Sequence, residues 1–134
     1  MLSVDEKKAI INYRIQKSYG NLNEAKEVAK LGFWNLVGNR FYYLAFHMAS
    51  ALLSDKGLAS CFHSGMIHLI GTQFVVKGLL DKSYGRLLSR LFELRQSGDY
   101  DDLYDATEDE VIPYIDKTFQ FIQDMEKLIV FKGE

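Results

Sequence analysis

Apolar residues recur at every third or fourth position along most of this chain, which is the spacing of one face of an α-helix. No segment shows the apolar and polar alternation that marks a strand, and Pro113 is the only proline. The pattern predicts an all-α fold, an up-and-down antiparallel bundle of five helices. The predicted helices cover about 4–31, 33–54, 63–78, 83–95 and the segment from 107 onwards.

Several helix ends can be predicted from local signals. Thr107-Glu108-Asp109-Glu110 matches a capping box, which predicts the start of the last helix, and Pro113 lies close enough to that start to cause only a modest distortion. Residues 97–102 are polar and acidic, so we expect a loop there. Gly20 either bends the first helix or divides it, since glycine is unfavourable inside a helix.

The composition limits the class of protein. A length of 134 residues predicts one domain, spanning 1–134. The formal net charge of −2 argues against a surface that is basic throughout, although a local basic groove is compatible with it. Cys61 is the only cysteine, which excludes an internal disulfide and a thiolate metal cluster. No apolar run reaches the length of a membrane span and no signal peptide precedes the domain, so we expect a cytoplasmic protein with no membrane partner.

The most informative segment is Gly38–His47, where two basic residues interrupt an apolar and aromatic helix. Arg40 and His47 are seven positions apart, which returns a helix to nearly the same face, and Tyr43 lies between them. Asn39 lies at the edge of this polar stripe. Burying such groups is costly without partners, so the stripe is a candidate functional site.

These residue types suit RNA cleavage without a metal ion. Neutral His47 can take the proton of an attacking 2′-hydroxyl, Arg40 can hold the phosphate, and Tyr43 can orient either group or stack on a base. A structural interpretation is equally open, in which Arg40 pairs with Glu24 or Asp99 and His47 bonds a buried hydroxyl.

Four further residues are candidates for binding RNA or a nucleotide: Asn39, His63, Arg95 and Tyr100. Two of them have ordinary alternatives: His63 ends a loop, and Arg95 pairs with Asp99 or Asp102 at the end of the fourth helix. His63 and His68 are five positions apart, which does not place two metal ligands on one helix face. We therefore predict no metal and no other cofactor.

The chain resembles the HEPN superfamily (higher eukaryote and prokaryote nucleotide-binding domains), in its small single-domain prokaryotic branch. The segments that carry the resemblance occur in the same order over nearly the whole chain. They are Asn23-Glu24-Ala25-Lys26, Asn39 to His47, His63-Ser64-Gly65, Arg95 to Tyr100 and Phe119-Gln120-Phe121-Ile122.

The resemblance implies a helical bundle that forms homodimers, in a superfamily whose active members are metal-independent ribonucleases. Many of them are toxins paired with a small nucleotidyltransferase antitoxin. Their signature is an arginine and a histidine separated by four to six residues, a spacing that Arg40 and His47 meet at its upper limit. In well-known toxin branches the signature follows the penultimate helix, where this chain has Arg95 to Tyr100 and no histidine. A symmetric dimer that brings two polar stripes together would form a composite cleft.

Two functional hypotheses follow. The first is an RNA-directed HEPN module of toxin–antitoxin or defence type, an endoribonuclease in its active form, that uses the stripe of Arg40, Tyr43 and His47. The second is a non-catalytic nucleotide-binding or adaptor domain that pairs with a nucleotidyltransferase. The residues alone leave open whether the protein is an enzyme.

Overall fold

The longest apolar helix lies at the centre of the fold. The computed structural model describes residues 3–58, 63–100 and 104–130, except the side chain of His63. The helix at 34–55 buries twelve of its residues. It packs against the first helix on one side, and its other sides pack mainly against the helices at 83–100 and 115–127. The part of the chain that is described contains helices and no strand, which confirms the predicted all-α class. The helices are α1 (Val4–Lys30), α2 (Trp34–Asp55), α3 (His63–Ile70, continued by a π-helical segment, Gly71–Val75), α4 (Ser83–Tyr100), α5 (Glu108–Val111) and α6 (Ile115–Lys127).

Helix α1 runs without interruption through Gly20. Its start is a capping box that the sequence analysis did not identify: the Ser3 hydroxyl accepts from the Glu6 backbone N–H at 3.1 Å, and the Glu6 carboxylate accepts from the Ser3 backbone N–H. Ile11 and Leu22 are buried, as the predicted stripe requires. Buried Ser18 donates to the α2 backbone oxygen of Leu44 at 2.6 Å, which fixes the register of the two helices.

Two predicted helix ends are confirmed by glycines in the left-handed region. Gly57 has a φ of 72° just after α2, and Gly78 has a φ of 77° after the π-helical segment. A side chain at either position would strain the backbone, so both glycines allow the chain to turn sharply.

The predicted loop that begins at Ser97 was wrong in its first part, because α4 continues to Tyr100. Asp99 lies one turn after Arg95 and pairs with it at 3.2 Å, and it also accepts from Asn39 of α2 at 2.8 Å. These contacts stabilise a last turn that its polar composition did not suggest. Asp101 and Asp102 lie outside the described residues.

The predicted capping box at Thr107 was also wrong. The Thr107 hydroxyl donates to the Glu110 carboxylate at 3.1 Å and caps no backbone N–H. The helix that follows is divided, with one turn of α5, a 3₁₀ turn at Ile112–Tyr114 and then α6. Pro113 lies in the 3₁₀ turn, where its missing N–H explains the distortion that the sequence predicted.

Candidate functional site

The polar stripe of α2 faces α1 across an open groove. Arg40, Tyr43 and His47 all line this groove, which has a volume of about 560 Å³. Helix α1 supplies the other wall: Tyr13, Gln16, Lys17, Gly20, Asn21 and Glu24. We call this groove the α1–α2 cleft.

Arg40 is held in the cleft by two partners on α1. Its Nε lies 3.2 Å from a Glu24 carboxylate oxygen, and its Nη1 donates to the Asn21 side-chain oxygen at 3.3 Å. Asn21 is itself anchored, because its Nδ2 donates to the backbone oxygen of Lys17 at 2.9 Å. The Arg40 side chain is 33% exposed and that of Glu24 is 60% exposed, so solvent reaches the pair. A guanidinium has five N–H donors, and these two contacts use only part of them.

His47 lies on α2 about one helical turn after Tyr43, and its Nδ1 is buried. This atom has no hydrogen-bond partner within the described part of the chain. Burial is the main cause that lowers the pKa of His47, and the positive charges of Arg14 and Lys17 lower it further. The imidazole is therefore neutral at pH 7, and its other nitrogen, Nε2, is the atom left for proton exchange.

Tyr43 connects the cleft to a second cluster on α4. The Arg95 guanidinium donates to the Tyr43 hydroxyl at 2.9 Å and to the Tyr100 hydroxyl at 3.2 Å, and its centre lies 5.5 Å and 5.0 Å from the two ring centroids. The Arg95 Nε is 3.2 Å from Asp99 but not aligned for a hydrogen bond, so that contact is an ion pair. Arg95 is thus clamped between two tyrosine rings and a carboxylate.

The structure places six of the seven sequence-predicted residues in two connected groups. Arg40, Tyr43 and His47 lie together in the cleft. Arg95 and Tyr100 line a neighbouring shallow surface, and Asn39, which does not line the cleft, is linked to them through its hydrogen bond to Asp99. The backbone of His63 begins α3, and its side chain lies outside the described atoms.

Comparison with known proteins assigns the family. The sequence matches the HEPN domain family over residues 11–128. The chain belongs to the HEPN family. A UPF0332 protein of Thermotoga maritima is 36% identical to this HEPN chain over 126 residues, covering 94% of this chain and 96% of the relative. A protein of Methanocaldococcus jannaschii named "putative toxin" is 32% identical over 130 residues, covering 91% and 96%, and a second one of that name from the same organism is 24% identical over 119 residues, covering 89% and 81%.

Sequence reasoning missed the α1 wall of the cleft in this HEPN protein. Lys17 and Asn21 were not candidates, although Tyr13, Lys17, Asn21 and Glu24 recur at helical spacing and form a polar stripe like that of α2. That periodicity is the signal that identifies them. Lys17 adds a second cation to the cleft, and its Nζ lies 5.6 Å from the centroid of the Tyr13 ring.

The cleft of the HEPN protein combines side chains whose chemistry suits a phosphate ligand. Arg40 and Lys17 provide positive charge, neutral His47 provides a proton acceptor, and the Tyr43 hydroxyl accepts from Arg95 so that its own proton is available for donation. Within residues 3–58, 63–100 and 104–130, no three or more His, Cys, Asp or Glu side chains form a group that could hold a metal ion. The helices among these residues are too short or too polar to cross a membrane.

Proposed function

We propose that this HEPN protein is the toxin of a toxin–antitoxin pair and that it cleaves RNA at the α1–α2 cleft without a metal ion. The observation that carries the proposal is that a neutral imidazole and a solvent-accessible guanidinium line the same open groove. The names of the two Methanocaldococcus relatives support a toxin-like role.

The chemistry is attack by the RNA 2′-hydroxyl on the adjacent phosphorus. His47 takes the hydroxyl proton at Nε2 as the new oxygen–phosphorus bond forms, and the bond from phosphorus to the 5′-oxygen breaks. The products are a 2′,3′-cyclic phosphate and a 5′-hydroxyl, whose proton is returned by the imidazolium. Arg40 and Lys17 stabilise the added negative charge of the phosphorane, and Tyr43 donates to a phosphate oxygen while Arg95 holds its own oxygen.

The protein's surroundings follow from this role. We expect it to act in the cytoplasm, where cellular RNA is available, and to form a homodimer as the family resemblance implies. We also expect an antitoxin of the nucleotidyltransferase type to neutralise it. Co-expression with such a protein, followed by purification through a tag on only one of the two, tests the pairing.

The cleavage test uses purified protein and a single-stranded RNA in the presence of a chelator. We expect the wild type to cut the RNA and leave cyclic phosphate ends, and His47→Ala and Arg40→Ala to lower the rate by about 100-fold or more. His68→Ala is the matched control, because His68 is exposed on α3 and does not line the cleft. Intact RNA with the wild type, or equal cleavage by His47→Ala, would contradict the proposal.

A second candidate function is a non-catalytic adaptor. The Arg40–Glu24 pair favours it, because a carboxylate or phosphate of a partner can replace Glu24 on the guanidinium. In that case the wild type binds a nucleotide or a nucleotidyltransferase partner, Arg40→Ala loses this binding, and RNA stays intact throughout.

A further inference from the structure

An exposed aromatic ring lines the α1–α2 cleft and has no part in the proposed cleavage step. Tyr13 of α1 is 57% exposed, and its hydroxyl forms no hydrogen bond with any other described residue. Its ring belongs neither to the hydrophobic core nor to the residues packed against that core. Packing therefore does not account for an aromatic side chain at this position.

Tyr13 lies at the end of the cleft where His47 is, away from Arg40. Helices α1 and α2 are antiparallel, and Arg40 meets Asn21 of α1. The positive charge of Lys17, one turn before Asn21, reaches the imidazole of His47. Tyr13 precedes Lys17 by one further turn and so lies about 12 Å from Asn21 along the helix axis. The order along the cleft is the guanidinium, the imidazole and then the aromatic ring.

The side chains around the Tyr13 ring suit a nucleotide. Lys17 forms no ion pair with any other described residue, so its charge is available to a phosphate. Gln16 is exposed, lines the cleft beside Tyr13, and its amide forms no hydrogen bond with the described part of the chain. A tyrosine ring can stack on a base, and a free amide can pair with the edge of a base.

Gly20 leaves room in the middle of the cleft for a polynucleotide to pass. Helix α1 runs straight through this residue, and a β-carbon added here would meet no atom of another helix within 4 Å. Neither the helix nor its packing requires glycine, which is less favourable than alanine inside a helix. The space beside Gly20 therefore belongs to the cleft, between Arg40 and Tyr13.

We propose that Tyr13 holds one unpaired base of the RNA by stacking, beside the phosphate that Arg40 and Lys17 bind. The base belongs to the nucleotide whose 2′-hydroxyl His47 deprotonates, because Tyr13 lies at the His47 end of the cleft. The inference rests on RNA being the ligand of the cleft, as in the proposed function, but Tyr13 takes no part in the proton transfer. A base inside a duplex is paired and stacked on its neighbours, so it is not available to the ring.

The first test measures affinity for an RNA that cannot be cut. The probe is a labelled oligoadenylate with 2′-O-methyl riboses, which lack the attacking hydroxyl, and fluorescence anisotropy gives its dissociation constant. We expect Tyr13→Leu to raise this constant about tenfold and Tyr13→Phe, which keeps the ring, to change it less than about twofold. Phe33→Leu is the matched control, because Phe33 is 55% exposed and does not line the cleft.

A probe without bases separates stacking from a structural effect. The wild type should bind the abasic form of the same oligonucleotide about tenfold more weakly than oligoadenylate, whereas Tyr13→Leu should distinguish the two probes by less than about twofold. Equal weakening of both probes by Tyr13→Leu contradicts the stacking. So does an unchanged affinity of Tyr13→Leu for oligoadenylate, or a wild type that does not bind it. Circular dichroism checks folding, and Tyr13→Gln replaces Tyr13→Leu if that variant does not fold.

Filling the middle of the cleft tests the path of the RNA. Gly20→Leu should weaken binding of both probes, because its side chain occupies the space between Arg40 and Tyr13. The helix should keep its stability, since leucine is more favourable than glycine inside a helix. Undiminished binding by Gly20→Leu would contradict a polynucleotide that reaches Tyr13 along the cleft.

Kinetics with unmodified RNA in chelator separate this subsite from the catalytic proposal. We expect Tyr13→Leu to raise KM about tenfold and to change kcat less than about twofold, because the stacked base is held equally in the ground and transition states. A wild type that leaves RNA intact but passes both probe tests overturns the catalysis and supports the subsite. A wild type that cuts RNA, with the same KM in Tyr13→Leu, overturns the subsite and supports the catalysis.

Discussion

Arg95 of α4 donates a hydrogen bond of 2.9 Å to the hydroxyl of Tyr43 on α2, 52 positions earlier in the chain. From the sequence, the stripe of Arg40 and His47 and the pair of Arg95 and Tyr100 are two alternative locations for the functional site. This hydrogen bond connects them. Tyr43 lines the cleft and also receives this bond, so a change on α4 reaches the cleft through one side chain.

We expect Tyr43→Phe to lower the free energy of unfolding by about 1.5 kcal/mol, because the buried guanidinium loses a hydrogen-bond acceptor. Arg95 is only 13% exposed. Tyr100→Phe is the matched control: its hydroxyl accepts from the same guanidinium, but Tyr100 is 68% exposed, so its loss should change stability by less than about 0.5 kcal/mol. Urea unfolding measures both, and equal losses would contradict the role of burial.

Stability should fall as the solution becomes more acidic than the ordinary pKa of histidine. The lowered pKa of His47 means that the unfolded chain takes up a proton at a pH where the folded chain does not. Acid therefore favours unfolding between about pH 6.5 and the lower pKa of the folded state, and there is no such effect above about pH 6.5.

Urea unfolding at about pH 7.5 and about pH 5.5 measures this difference. His47→Gln should lose less stability than the wild type over that interval. His68→Gln removes an exposed imidazole and should behave like the wild type. If the free energy of unfolding of the wild type and of His47→Gln depends on pH in the same way, the lowered pKa of His47 is contradicted.

The Arg40–Glu24 pair should restrain RNA binding rather than hold the fold. Glu24→Gln should tighten binding of a labelled single-stranded RNA by about two- to fivefold, because it removes a competing carboxylate, whereas Arg40→Ala should weaken it. Fluorescence anisotropy with His47→Ala as the common background measures affinity without cleavage. Weaker binding by Glu24→Gln would instead favour a structural role for the pair.

Mixing inactive variants tests whether a cleft needs two chains. If each cleft is complete in one chain, a mixture of Arg40→Ala and His47→Ala stays as inactive as either variant alone, since every cleft lacks one group. Shared clefts would recover part of the cleavage rate on mixing. The RNA assay in chelator measures this, and the wild type mixed with His47→Ala serves as the reference.

We expect alanine substitution of the residue just before a helix to have different effects on stability at α1 and at α5. Ser3→Ala should lower the free energy of unfolding by about 1 kcal/mol, because the Ser3 hydroxyl caps the Glu6 backbone N–H. Thr107→Ala should cost less than about 0.5 kcal/mol, because the Thr107 hydroxyl bonds only the Glu110 side chain. Thermal or urea unfolding compares them, and the reverse order would contradict the caps described here.

The α2 half of the candidate site could be predicted because it depends on helix geometry alone. Residues spaced like Arg40, Tyr43 and His47 lie on one face of any α-helix. In the structure all three line one cleft. The partners of Arg40 were only partly predictable: Glu24 was one of two carboxylates considered, and Asn21 was not considered. Lys17, which helps to lower the pKa of His47, was missed because its position relative to α2 depends on how the two helices pack.

The sequence by itself determined the all-α class and most helix bounds, because apolar periodicity and glycine stops act over a few neighbouring residues. The order of its motifs along the chain pointed to the family. The tertiary structure decided that α4 extends to Tyr100, that Arg95 meets Tyr43, and that Asn21 of α1 meets Arg40 of α2. Each of these depends on contacts between residues far apart in the chain. Helical spacing specifies which way a side chain faces but not which helix it will meet.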